Sequence, residues 1–415
     1  MVRKNARARV GMLLPAMSPR RLTGAAAIAC AAALIPAAAL AATASPARGA
    51  ATGPALAYSS NLSSVSCPRA SWCMAVGSSS ASPTSPSRTL AETRTGTSWR
   101  MLTTPNPAGT AASSLASVSC TSAARCIAVG DHGTQTLAEA WNGTSWRILK
   151  TPALASSSLA SVSCTSAARC IAVGDHGARA LAEAWNGTSW RTLKTRSPAR
   201  SSLTSVSCTA AARCMAVGGH DVRDGLPVGL YYGLTFAEAW NGTSWRILRT
   251  PKVGLGSTST LESVSCSRAF RCMAVGGSSQ NQGAAGFPSF AEAWNGTSWR
   301  LVTTANPRTG FRWLTGVSCT GADHCMAVGN SRTIEHNLGT GAFAEVWNGT
   351  TWHLLKVPGP RSLADGLGLA GVSCPLPSRC IATGSFISNL NLGSVRILAE
   401  AWNGTRWHML RPLNP

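Results

Sequence analysis

Cysteine is the first residue type in this 415-residue chain that could do chemistry, and there are 15 of them. Fourteen fall into seven pairs with one spacing, Cys-x5-Cys: Cys67 and Cys73, Cys120 and Cys126, Cys164 and Cys170, Cys208 and Cys214, Cys266 and Cys272, Cys319 and Cys325, Cys374 and Cys380. Zinc sites usually need four ligands, often from two closely spaced pairs. Here each pair stands alone with no recurring His, so no metal is expected. An even count at regular spacing in an exported chain reads as a disulfide framework. Each short loop then contributes roughly 2 kcal/mol in the chain-entropy picture.

Carboxylates are the second candidates. Glu92, Glu139, Glu183, Glu238, Glu292, Glu345 and Glu400 recur in one motif, Leu/Phe-Ala-Glu, and make up seven of the 15 acids. Catalysis does not need seven copies of one acid. A half-buried acid is tolerated when paired, so these are expected to bind strand-edge amides or arginines. The arginines in reach by sequence are those before the second Cys (Arg125, Arg169, Arg213) or after the last Trp (Arg147, Arg191, Arg246). Asp131-His132, Asp175-His176 and His220-Asp221 invite a metal or acid–base reading. They sit in loops of near-identical units, where duplication explains them. No catalytic residue and no cofactor is expected, and the chain reads as a non-enzyme.

The elements that must position these residues form a repeat. Seven units begin at Leu62, Leu115, Leu159, Leu203, Leu261, Leu314 and Leu369, a period of about 44 to 58 residues, which is propeller or solenoid territory. The second unit spells the pattern whole: Leu115 to Cys120, Cys126 to Gly130, Leu137 to Trp141, then Asn142-Gly143-Thr144-Ser145-Trp146. Each unit predicts four short strands, with Asn-Gly between apolar runs as a hairpin signal. The first unit departs, with Thr93-Arg94-Thr95-Gly96 at the turn. Asn-Gly-Thr is formally a glycosylation sequon and is sufficiently explained as a turn. Small residues crowd the first two strands. The last two hold 13 of the 15 Trp, as blades that splay outward from an axis require. The expected fold is all-β, a seven-bladed β-propeller of four-stranded antiparallel blades with one disulfide per blade. No exchanged strand is visible that would lock first blade to last.

The pattern resembles the kelch repeat of galactose-oxidase-like propellers, over residues 62 to about 412. There, strand two ends in Gly-Gly, and an aromatic in strand three precedes a Trp opening strand four. Ala216-Val217-Gly218-Gly219 and Ala274-Val275-Gly276-Gly277 match the glycine pair, and Trp240 with Trp245 match the aromatics. The cysteine pair is not part of the kelch pattern. The resemblance implies a propeller, often one that binds through its loop face. A copper radical site like that of galactose oxidase would need ligand tyrosines, and only Tyr58, Tyr231 and Tyr232 exist. Asn-Gly-Thr-Ser-Trp is also similar to the Asp-box turn of sialidase-like propellers, without its Asp. The clustered Arg, Asp and Tyr of a sialidase site are not found.

The N-terminus predicts an export signal over 1–44, with cleavage between about 41 and 50, then a short linker over 45–61 and the propeller over 62–415. Basic residues lead to Arg20-Arg21, an apolar stretch runs from Ala25 to Ala42, and Ala-x-Ala patterns follow. Cys30 lies inside that stretch. No later segment is apolar for long enough to span a membrane, so the mature protein is expected to be secreted and monomeric. The formal net charge is +22, and without the first 50 residues 30 basic face 15 acidic residues. Such a surface could attract anionic polymers, although no block of like charge appears.

Variation locates a binding face. The Cys-to-Cys loop is five residues in every unit, and the Trp-to-Trp turn is four where both Trp are present. Loops at the other ends of the strands vary, from six residues after Gly130 to 17 after Gly218. Variable loops on a rigid scaffold are where binding usually lives. Their unusual side chains, Tyr231, Tyr232, Phe287, Phe311, Arg312 and Trp313, are the candidate site, with Arg223 and Arg308 nearby. The expected partner is a protein or glycan; nucleic acid is not expected. Alternatives are a polysaccharide hydrolase or lyase with unassigned acids, and a binder of anionic polymers through the basic surface.

Overall fold

In the computed structural model the described residues are 58–415, apart from 224–230, 254–256, 269–270, 281–287, 306–310, 333–339, 361–363 and 389–393. The proposed signal, its cleavage region and most of the linker lie outside them, as do Phe287 and Arg308. No described residue is helical; 28 strands follow one another. They form the expected four-stranded antiparallel sheets, paired in sequence order. Unit two shows the plan: Ser113–Ser122, Arg125–His132, Gln135–Trp141 and Trp146–Leu149. The first strands begin slightly before the leucines that mark the units, at Ser59 in unit one.

Alternation along each strand decides the packing, because successive side chains point to opposite faces. In unit two, Leu115, Val118, Cys126, Leu137, Trp141 and Trp146 share one face and pack on Met74, Val76 and Ala91 of unit one. The other face offers Ile127, Val129, Ala138 and Leu149 to unit three. A large face therefore sits on a small one at each interface, and the tryptophans fill the gap. Within each of units two to seven the two Trp rings lie 5.4–5.8 Å apart, tilted against each other. Such a pair is worth about 0.5–1.5 kcal/mol beyond its burial. A β-bulge follows the marker leucine, as between Leu115 and Ser117. There Gly130 is obligatory, since a Cβ would overlap the Ser114 carbonyl.

The repeated Val-Ser-Cys adds a ladder between units. The Cys120 amide donates to the Ser66 hydroxyl at 3.0 Å, and Cys164 donates to Ser119 at 3.0 Å. The same bond joins Cys208 to Ser163, Cys266 to Ser207, Cys319 to Ser265 and Cys374 to Ser318. Cys67 of unit one donates to Ser373 of unit seven, at 3.0 Å. A hydrophobic cluster also spans that pair, with Ile381 and Ala399 against Leu62, Val65 and Trp99. Units seven and one further share one parallel bridge, Ser59 to Val395, where the Val395 amide donates to the Tyr58 carbonyl at 3.2 Å. This single bridge is the nearest thing to the exchanged strand that the sequence does not reveal.

All seven cysteine pairs are disulfides between neighbours six positions apart, across the hairpin of strands one and two. Seven such bonds suit an oxidising compartment.

Candidate functional site

The recurring glutamates are fully buried, and the arginines expected beside them are not there. Arg125, Arg147, Arg169, Arg191, Arg213 and Arg246 stand exposed at the far ends of their strands. Strand alternation instead places each Glu on the large face, turned to the preceding unit. Glu238 accepts the Arg196 amide at 2.7 Å, Glu345 the Ala305 amide at 3.0 Å and Glu92 the Leu413 amide at 3.3 Å. Each donor lies in the loop that follows strand four of the unit before, so in three of the seven units the partner is a backbone amide, though not a strand-edge one. Glu139, Glu183, Glu292 and Glu400 have both carboxyl oxygens buried without a hydrogen-bond partner. Burial pushes Glu139, Glu292 and Glu400 up to about 8, and Glu92, Glu183, Glu238 and Glu345 to about 7. Sealed between units, none of them can reach a substrate.

The Asp-His loops are likewise tied to their own hairpins. Asp131 accepts from Ser114 at 2.7 Å, His132 pairs with Ser113 at 2.9 Å, and Asp175 accepts from Ser158 at 2.6 Å. Unit four differs. Asp221 pairs with Arg200 at 3.6 Å, while the His220 ring packs edge-on to Phe236 at 5.9 Å. Burial lowers the His220 pKa, and its Nδ1 is buried without a hydrogen-bond partner. This ring lines a cleft of about 250 Å³ with Pro198, Phe236, Arg249 and Lys252. The cleft lies at the variable-loop ends of the strands.

Of the candidate aromatics, Tyr231 and Tyr232 open strand three of unit four, opposite Arg223 and Val222. Tyr232 is half-buried. Phe311, Arg312 and Trp313 open the first strand of unit six and are half-buried. The Arg312 guanidinium lies 5.6 Å from the centre of the Phe343 ring. Burial lowers its pKa, against the charge of Glu345, which raises it. Trp313 lies over Gly277 of unit five so closely that a Cβ there would overlap its ring. The Glu262 carboxyl lies beside its indole, and burial raises the pKa of that carboxyl. Trp313 thus seals an interface, whereas Tyr232 sits on the same hairpin as the His220 cleft.

The opposite ends of the strands carry a feature that sequence reasoning missed. Between units two and three, a cleft of about 270 Å³ is lined by Arg125 and Arg147 from one unit and Trp185 and Gly187 from the next. The arrangement recurs with Arg169 and Arg191 against unit four, and with Arg213 and Arg246 against unit five. Arg271 and Arg300 face unit six in the same way. The sequence carries this signal as two arginines per unit at fixed offsets, the same residues whose positions suggest partners for the glutamates.

Among solved structures, the chain is similar to β-propellers. "YCF48 bound to D1 peptide" is 12% identical, with 84% of this chain and 92% of that chain covered and a TM-score of 0.51. The β-propeller domain of the Trilobed protease from Pyrococcus furiosus is 8% identical, with 86% and 97% covered and a TM-score of 0.51. An acylaminoacyl peptidase from Pyrococcus horikoshii is 10% identical at a TM-score of 0.52, with 85% of this chain covered but only 52% of the peptidase. No family model matches the chain, and no curated protein matches it. The fold is that of a β-propeller.

Proposed function

We propose that this chain is an exported, seven-bladed β-propeller that binds a protein or glycan ligand at the variable-loop ends of blades four to six and performs no chemistry of its own. The carrying observation is the His220 cleft beside the Tyr231–Tyr232 hairpin. It holds a histidine nitrogen with no partner and is flanked by Arg249 and Lys252. Large aromatics beside a concave, partly apolar surface are good anchors at low entropic cost. The recurring carboxylates, which an enzyme would need exposed, are sealed between blades. One solved neighbour is described as bound to a peptide, which gives the reading a precedent on this fold.

Ring closure belongs to the same reading. The hydrogen bond from Cys67 to Ser373 and the hydrophobic cluster between units seven and one support it. The join has one bridge rather than a full exchanged strand. The Trilobed protease propeller is described as having an open velcro topology, and a join this thin fits that arrangement. Export would remove residues up to a site between about Ala41 and Ala50.

The test is a screen of peptide and glycan arrays, followed by Tyr231, Tyr232 and His220 replaced together with Ala. Binding to the ligand found should fall at least tenfold with the melting temperature unchanged. Binding that survives this triple change would sink the assignment of the site. Product release from a polysaccharide would instead favour a hydrolase or lyase.

A further inference from the structure

From the arginine-lined clefts at the disulfide ends of the strands, we infer a second binding surface, independent of the variable-loop site: a multivalent face for a linear anionic polysaccharide.

The placement follows from strand alternation and blade splay. The arginine after the last Trp and the one before the second Cys project from the small face of one unit toward the next. In unit two, Arg147 is paired through Ala140 with Ile127, two residues from Arg125. Beyond the tryptophans, at the turn ends of the strands, the units diverge and leave a further gap at these interfaces. What remains is a concave slot with two guanidinium groups on one wall and a glycine turn on the other. The slots range from about 80 Å³ between units three and four to about 490 Å³ between units four and five. Four successive interfaces carry them, so the charges recur at the interval of one unit.

Charge at this end is nearly of one sign. Asp323 is the only acid in the seven Cys-to-Cys loops and the strand-three to strand-four turns. The join between units seven and one adds another cationic pair. Arg94 stands where the other units have Trp. Burial, and then the charge of Arg379, lowers its pKa, and its Nε is buried without a hydrogen-bond partner. Guanidinium forks match carboxylate and sulfate oxygens two at a time. A polymer with an anionic group on successive sugars would meet several slots at once, gaining avidity from weak single contacts. Nucleic acid fits less well. The cleft tryptophans, such as Trp185 at 5% exposure, are too buried to stack bases. The described residues at this end also offer no helix to enter a major groove.

The probes are heparin, polygalacturonate, and single- and double-stranded DNA, titrated against the full chain at several salt concentrations. Both polysaccharides should bind, with affinity falling steeply with salt. Replacing Arg147, Arg191, Arg246 and Arg300 with Gln should cost at least tenfold at low salt and make the salt dependence shallower, while four Lys replacements, which keep the charge and lose the fork, should bind between the two and keep the salt dependence. All four side chains are exposed, and an unchanged melting curve verifies that the variants are folded. The Tyr231, Tyr232 and His220 variant should bind both polysaccharides normally, so failure of either site is read separately. Full binding by the Gln variant would overturn the face. DNA bound tighter than either polysaccharide would overturn the ligand.

Discussion

At the scale of single residues the molecule is unusual for its seven buried carboxyls. Neither carboxyl oxygen of Glu139 has a hydrogen-bond partner, and burial raises its pKa to about 8 against an ordinary 4.5. The folded state therefore keeps a proton that the unfolded chain releases. Such a group contributes its full stability below pH 4.5, where both states are protonated. That contribution is lost progressively as pH rises toward about 8. Each tenfold change in proton affinity between the two states is worth about 1.4 kcal/mol, so the loss at Glu139 is on the order of several kcal/mol. Urea unfolding should therefore show stability falling steadily from pH 5 to pH 8.5. Glu139→Gln replaces a neutral acid with a neutral amide of the same shape. It should sit within about 1 kcal/mol of the parent at pH 5 and exceed it at pH 8.5. A flat pH profile for the parent would mean that the carboxyls are ionised in the folded state.

At the scale of elements, two connections define a unit, and both were legible in the sequence. The Cys-x5-Cys spacing fits a hairpin closed by a disulfide, and that is what forms. In the Asn-Gly-Thr-Ser turn, the Asn142 side-chain oxygen accepts from the Thr144 and Ser145 amides at 2.9 Å, and Gly143 takes a φ of 104°. Asn142→Ala should cost about 1–2 kcal/mol and raise hydrogen exchange in that turn alone. An equal rise across the unit would mean the turn holds more than itself. Trp313 was legible as an unusual aromatic but not as a seal, because Gly277 and Glu262 lie in the preceding unit. Gly277→Val would drive a side chain into its ring and should cost about 1–3 kcal/mol. A neutral outcome in urea unfolding would show that the indole can leave, and would return Trp313 to the pool of free binding residues. The same distance hid the glutamate partners. Arg196 is 42 residues from Glu238, and Ala305 is 40 from Glu345. Periodicity within a unit says which face a side chain takes. It does not say what the neighbouring unit's loop brings to that face, nor where splaying units leave a slot.

At the scale of the whole molecule the question is whether seven units make a ring or an arc. Six of the ladder bonds join units consecutive in sequence and would exist in either. The seventh, from the Cys67 amide to the Ser373 hydroxyl across 306 residues, exists only if the ends meet. Ser373→Ala removes that acceptor without leaving a void of any size, and Ser119→Ala removes the equivalent one for Cys164. If the ring is closed, the two should cost the same, about 1 kcal/mol each, by urea unfolding under oxidising conditions. Hydrogen exchange should then speed up at Cys67 in the first variant and at Cys164 in the second. If the chain is an open arc in solution, Ser373→Ala costs nothing, because Cys67 is already bonded to water. Its amide would then exchange fast in the parent. The join lacks one serine contact, since Gly371 stands where units one to five have a serine two residues after the marker leucine, and Gly316 leaves the same gap between units six and seven. It keeps the buried-glutamate contact, since the Glu92 carboxyl accepts the Leu413 amide as Glu238 and Glu345 accept theirs. A closed ring therefore predicts that the Cys67 amide is about as protected as Cys164, with Ser373→Ala erasing the difference between Cys67 and a solvent-exposed turn.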